Sequence, residues 1–141
     1  MPVTLRNNLI ELGIDLPSEN YQQARFDWSN KLVALKFKGI SIVTTEKLES
    51  TNANDFGSGF YNEFGIDTAL GFDEALKGEW FHKIGVGALK KSTHQYNFNH
   101  DYEIRPCQFT YKLEENVFES VCSGELINGY AYELSLSLIH I

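Results

Sequence analysis

The chain reads as an all-β protein of antiparallel strands in one domain, and three observations carry that prediction. From Tyr21 onward apolar and polar residues alternate with period 2 over short segments. Turn residues such as Ser29-Asn30 and Gly39 close those segments, which recur in quick succession from Ile84 to the C-terminus. A helix is expected at most as a short piece around Phe72 to Lys77. With 141 residues, 43% hydrophobic and 13% aromatic, the chain has material for a core.

Val3 to Leu12 is weakly patterned and fits either a strand or one helical turn leading to Pro17. The alternation of Arg25-Phe26-Asp27-Trp28 predicts a strand, Ser29-Asn30 its turn and Leu32 to Phe37 the returning strand of a hairpin. Gly39 breaks the pattern before Ile40 to Thr45. Between Glu46 and Phe81 the texture turns polar and Gly-rich, predicting an extended loop across one face of the sheet; a connection that long is usually functional or disordered. Strands are then expected at Ile84 to Leu89, Tyr102 to Arg105, Gln108 to Leu113, Asn116 to Ser123 and Tyr130 to Leu136. Gly85-Val-Gly87 lacks the third glycine and following helix of a dinucleotide fingerprint, so it predicts a bulge or a close strand crossing.

A net charge of -7 argues against a nucleic-acid partner, whose backbone is bound by clustered Lys and Arg. The one basic cluster, Lys83, Lys90 and Lys91, reads as a solvated strand edge. No run approaches the ~20 apolar residues of a membrane helix and the N-terminus lacks a secretory pattern, so no membrane partner and a cytoplasmic location are expected. Cys107 and Cys122 lack metal or redox spacing and read as buried thiols.

Three blocks carry a resemblance to a known family: Gly57-Ser-Gly-Phe-Tyr-Asn-Glu-Phe-Gly-Ile-Asp67, Gly78-Glu-Trp-Phe-His-Lys-Ile-Gly-Val-Gly-Ala-Leu-Lys-Lys91 and Tyr102-Glu-Ile-Arg-Pro106. With Ala24-Arg-Phe-Asp-Trp28 upstream, they resemble the galactose mutarotase-like (aldose 1-epimerase-related) family over about Tyr21 to Tyr111. The resemblance implies a large β-sandwich that binds a carbohydrate, with aldose 1-epimerase (isomerase) activity as one possibility for the parent protein. A non-catalytic carbohydrate-binding or accessory sandwich is the alternative, and a purely structural module the third. Interconverting anomers takes a base, an acid and no metal or other cofactor. In that family the base is a late glutamate and an acid histidine sits in an Asn-His pattern; Asn99-His100 only superficially matches it, and the His-Gly-Gly context of a further histidine is missing.

Because such sandwiches run to ~200–250 residues, residues 1–135 are expected to be the N-terminal part of one, leaving the fold incomplete and the catalytic base outside the chain. Leu136-Ser-Leu-Ile-His-Ile141 matches the translation of CTG TCT CTT ATA CAC ATC, a transposon end used in sequencing libraries, so 136–141 reads as a read-through tail. Such a piece is expected to be unstable or aggregation-prone alone and to show no mutarotation above the spontaneous rate.

Within the chain His82 is the catalytic candidate: it follows Trp80-Phe81, where an aromatic face can stack on a sugar and an imidazole can titrate near neutrality. A histidine satisfied by a backbone carbonyl is the competing reading. Tyr61, Asn62, Glu63 and Trp80 are the substrate-binding candidates, being polar groups framed by aromatics; turn chemistry competes at Asn62-Glu63. Tyr61, Asn62, Trp80 and His82 are expected around one concave surface. Arg25 with Asp27, and Arg105 with Glu103, are expected as same-face ion pairs, and His94 and His100 as surface loop residues.

Overall fold

The computed structural model describes residues 3–43 and 59–139. Ten strands follow in order: β1 (Val3–Arg6), β2 (Ile10–Asp15), β3 (Lys31–Phe37), β4 (Ile40–Ser41), β5 (Trp80–Lys83), β6 (Gly87–Lys90), β7 (Ile104–Pro106), β8 (Gln108–Glu114), β9 (Val117–Ile127) and β10 (Tyr130–Ile139). They make three antiparallel sheets ordered β1-β2-β3-β4, β5-β6-β7 and β10-β9-β8, none closed into a barrel. The protein is all-β, with no helix among the described residues, and its open sheets fit an incomplete sandwich.

Val3 to Leu12, undecided in the sequence, is a hairpin. The Asn7 side chain accepts from the Leu9 and Ile10 amides at 2.7 Å each, fixing the turn. Lys38-Gly39 and Asn128-Gly129 close β3–β4 and β9–β10, and all four residues have positive φ, which matches the right-handed twist of the flanking strands.

Two cores hold the sheets together. Leu5, Leu12 and Ile14 of the first sheet meet Phe118 of β9, with Leu32, Leu35 and Leu138 around them. The second core gathers Phe81, Val86 and Leu89 around Trp28, Phe72 and Tyr102. Residues 136–139 continue β10 in register with β9, from Leu136 opposite Ser120 to Ile139 opposite Val117.

The structure departs from the expected strands in two places. Residues 25–28 are not the outer strand of a hairpin with β3, whose neighbours are β2 and β4. Phe26, Asp27 and Trp28 are all buried, which a half-solvated strand does not allow. The Asp27 and Trp28 amides instead bond the carbonyls of Asn62 (2.9 Å) and Gly85 (2.8 Å). Phe72 to Lys77, where at most a short helix is expected, forms turns set between Gly71 and Gly78, both at positive φ. Finally, 84–86 is the turn between β5 and β6 rather than the start of a strand, and β5 already begins at Trp80. The expected strand end at Thr44-Thr45 and loop residues 46–58 lie outside the described residues.

Candidate functional site

Alternation along β5 sends Trp80 and His82 to one face and Phe81 and Lys83 to the other. The two faces have different chemistry.

On the first face, strand register aligns His82 opposite Ala88 and Ala88 opposite Arg105. The small Ala88 leaves space between the two larger residues. Where β7 hands the chain to β8 in another sheet, Cys107, Gln108, Ser123, Gly124 and Glu125 complete a cleft of about 290 Å³. Arg105 lies across the Trp80 ring, its guanidinium carbon 4.6 Å from the centroid, and pairs with Glu125 at 2.6 Å. His82 is 1% exposed and its Nε2 is 2.8 Å from the Tyr130 carbonyl oxygen. A carbonyl only accepts, so Nε2 carries a proton. In the neutral ring Nδ1 therefore keeps a lone pair, and this buried nitrogen has no partner among the described residues. The Tyr132 ring stands edge-on to the imidazole at 5.3 Å.

On the second face, Lys83 is buried, with Nζ 2.9 Å from the Gly65 carbonyl and 2.8 Å from the Tyr96 hydroxyl. Beside it Arg25 binds Glu63 at 2.7 Å. Asn62 donates to Asp27 at 3.2 Å, and Tyr61 packs on Tyr21 and Phe26. Tyr61, Asn62 and Glu63 thus brace the segment around Asp27, while Trp80 and His82 lie on the first face. Of Tyr61, Asn62, Trp80 and His82, expected around one concave surface, only His82 lines the cleft.

Other sequence expectations are revised here. Arg25 pairs with Glu63 rather than Asp27, Arg105 with Glu125 rather than Glu103, and Glu103 with Lys90 at 3.2 Å. Long-range packing supplied closer acids than the local spacing did. The basic cluster is not a solvated strand edge: Lys83 is buried, Lys90 is half-buried at the end of β6, the middle strand of its sheet, and Lys91 donates to the carbonyls of Phe72 and Ala75. His94 is exposed, whereas His100 is half-buried against Tyr102. Gly85 and Gly87 do mark close approaches: a Cβ on Gly85 would sit 2.5 Å from an Asp27 carboxylate oxygen. Among the described residues no three His, Cys, Asp or Glu side chains converge to hold a metal ion.

Burial pulls the Lys83 ammonium down to about 8, against the opposing attraction of Glu63. Burial does the same to Lys31, again to about 8, against Asp15, Glu19 and Asp27. Above about pH 8 the folded chain therefore releases protons that the unfolded chain holds up to about 10.5, so the unfolded state binds more protons and stability rises with pH. The melting temperature is expected to climb from pH 8 to pH 9, below the range where tyrosines titrate, and to climb less in Lys83→Met. Calorimetry at both pH values checks this. A flat or falling profile in the wild type would contradict the burial argument.

Comparison with family models, curated proteins and solved structures finds no match for this chain.

Proposed function

We propose that the chain is the carbohydrate-binding part of a mutarotase-like β-sandwich, with the sugar in the His82 cleft. The observation that carries this reading is a buried imidazole, one nitrogen of which has no hydrogen-bond partner among the described residues, lining a concavity together with the polar side chains of Arg105, Gln108, Ser123 and Glu125. Hydroxyls on a sugar ring both donate and accept, and that wall offers both. Trp80 lies behind Arg105, whose guanidinium covers its ring, so the polar wall rather than a stacking face carries the proposed recognition. At about 290 Å³ the cleft lies at the small end of ligand sites, which favours one sugar unit over an oligosaccharide.

As an aldose 1-epimerase the parent would use His82 Nδ1 to exchange a proton with the sugar, since Nε2 is committed to Tyr130. Opening the ring needs a second group for the opposite proton transfer. One observation favours the non-catalytic alternative: the cleft's carboxylate, Glu125, is already paired with Arg105.

Titration calorimetry with a panel of aldoses tests the binding. Binding of one aldose is expected, with a loss of about tenfold or more for His82→Ala; leaving a buried polar partner unmatched typically costs ~1–3 kcal/mol. Ala88→Leu should abolish binding by filling the cleft while leaving every polar group in place. Binding that survives Ala88→Leu would move the site elsewhere, and no binding by the wild type would end the carbohydrate reading. Polarimetry on the longer parent protein, where the catalytic base is expected, separates enzyme from binder.

A further inference from the structure

Cys107 and Cys122 are far apart in sequence but adjacent in space. β8 pairs with β9 so that Gln108 faces Ser123 and Phe109 faces Cys122; Cys107 comes one step earlier, diagonal to Cys122 and on the same sheet face. The residue that would stand between them is Gly124, whose missing side chain makes room for the Tyr132 ring: a Cβ there would lie 2.3 Å from a ring carbon. The Tyr132 hydroxyl reaches both sulfurs, at 3.0 Å from Cys107 and 3.8 Å from Cys122, and the two thiols contact each other.

The pair is asymmetric. Cys107 lines the cleft and is partly exposed, whereas Cys122 is buried. Hydrogen bonding from Cys122, outweighing burial, holds the Cys107 thiol below its ordinary range, and the same contact pushes Cys122 up. A partly exposed thiol whose ionisation is eased by a neighbouring buried thiol is the arrangement that reacts with peroxides.

We propose that Cys107 and Cys122 are a peroxide-reactive dithiol at the cleft wall, with Cys107 the attacking and Cys122 the resolving residue. The Cys107 thiolate attacks one oxygen of hydrogen peroxide, the O–O bond breaks, and the departing hydroxide takes up a proton to leave as water. Cys107 is then a sulfenic acid. The Cys122 sulfur attacks the Cys107 sulfur, the S–O bond breaks, and the hydroxyl leaves with the Cys122 proton as a second water. Two thiols have lost two electrons, one peroxide has been reduced to two waters, and one disulfide has formed. Cys107 lies between β7 and β8, and its amide donates to the Val86 carbonyl at 3.0 Å, a backbone bond that has to adjust as Cys107 closes on Cys122.

The chain has two cysteines, which makes the test unambiguous. The folded, reduced protein is treated with hydrogen peroxide, quenched, denatured and alkylated, then weighed by mass spectrometry. The expected product has lost two hydrogens, takes up no alkylating agent and runs as a monomer without reductant. In Cys122→Ser, Cys107 should accumulate as a sulfenic acid trapped by dimedone; in Cys107→Ser, Cys122 should stay reduced and alkylate only after denaturation. The proposal is overturned if both wild-type thiols still alkylate after peroxide, if oxidation stops at a Cys107 sulfinic acid, or if the only disulfides join two chains. The wild-type result decides even where a variant fails to fold.

Discussion

Gly87→Ala is expected to remove the cooperative unfolding transition or to lower stability by about 4–5 kcal/mol, at the far end of what single substitutions do. Gly87 opens β6, opposite Pro106 of β7, at φ +157. A Cβ there would lie 2.2 Å from the Arg105 carbonyl oxygen, and 2.8 Å from both the Cys107 amide nitrogen and the Pro106 Cα. All three are backbone atoms, so no side chain can swing aside and the strands themselves must part. Parting them breaks the row of His82, Ala88 and Arg105 that frames the cleft and uncovers Val86 and Leu89 in the core behind it. Gly78→Ala is the control. Its φ of +91 is as unfavourable for a side chain, yet nothing lies within 4 Å of the new methyl, so only the backbone cost of about 1–2 kcal/mol is expected. Urea titration followed by tryptophan fluorescence measures both. Equal midpoints for the two variants would mean that the close approach of β6 and β7 contributes nothing.

How much of this was readable in the sequence depended on how local the cause was. The strands from Gln108 onward were legible because period 2 alternation is a property of neighbours. The segment 25–28 misled because Arg25-Phe26-Asp27-Trp28 alternates in polarity while its backbone bonds loops dozens of residues away. Asp27 is a buried carboxylate satisfied by the Ser29 amide and hydroxyl at 2.8 and 2.6 Å and by Asn62, and no sequence pattern announces that. At the cleft, the aromatic setting in the sequence singled out His82, which lies in the lining, and Trp80, which lies behind Arg105. Arg105, Gln108, Ser123 and Glu125 were missed, since the cleft exists only where one sheet passes the chain to another. The nearness of Cys107 and Cys122 follows from the same register and was equally out of reach.

Lys31→Met is expected to cost about 3–5 kcal/mol, the range for removing one partner from a buried charge cluster. Lys31 is fully buried at the start of β3, and its ammonium donates to three backbone carbonyls: Pro17 at 3.3 Å, Tyr21 at 3.0 Å, and Glu19. Those bonds fold the 16–22 segment around one positive charge. Asp15 and Asp27, both buried, lie close enough to act on that charge. Methionine matches the length and fills the space, so packing is kept while the charge and its three hydrogen bonds go. The carbonyls then face an apolar thioether, each unmatched group worth ~1–3 kcal/mol before relaxation, and Asp27 loses a counter-charge in a site where burial already raises its pKa. Asp27→Asn in the Lys31→Met background should therefore cost less than Asp27→Asn alone, because neutralising the acid removes the charge left behind. A urea-denaturation cycle over the four proteins measures that coupling. Additive losses would show that the lysine acts through the three carbonyls alone, and a Lys31→Met protein within about 1 kcal/mol of wild type would show that the buried ammonium is dispensable to the fold.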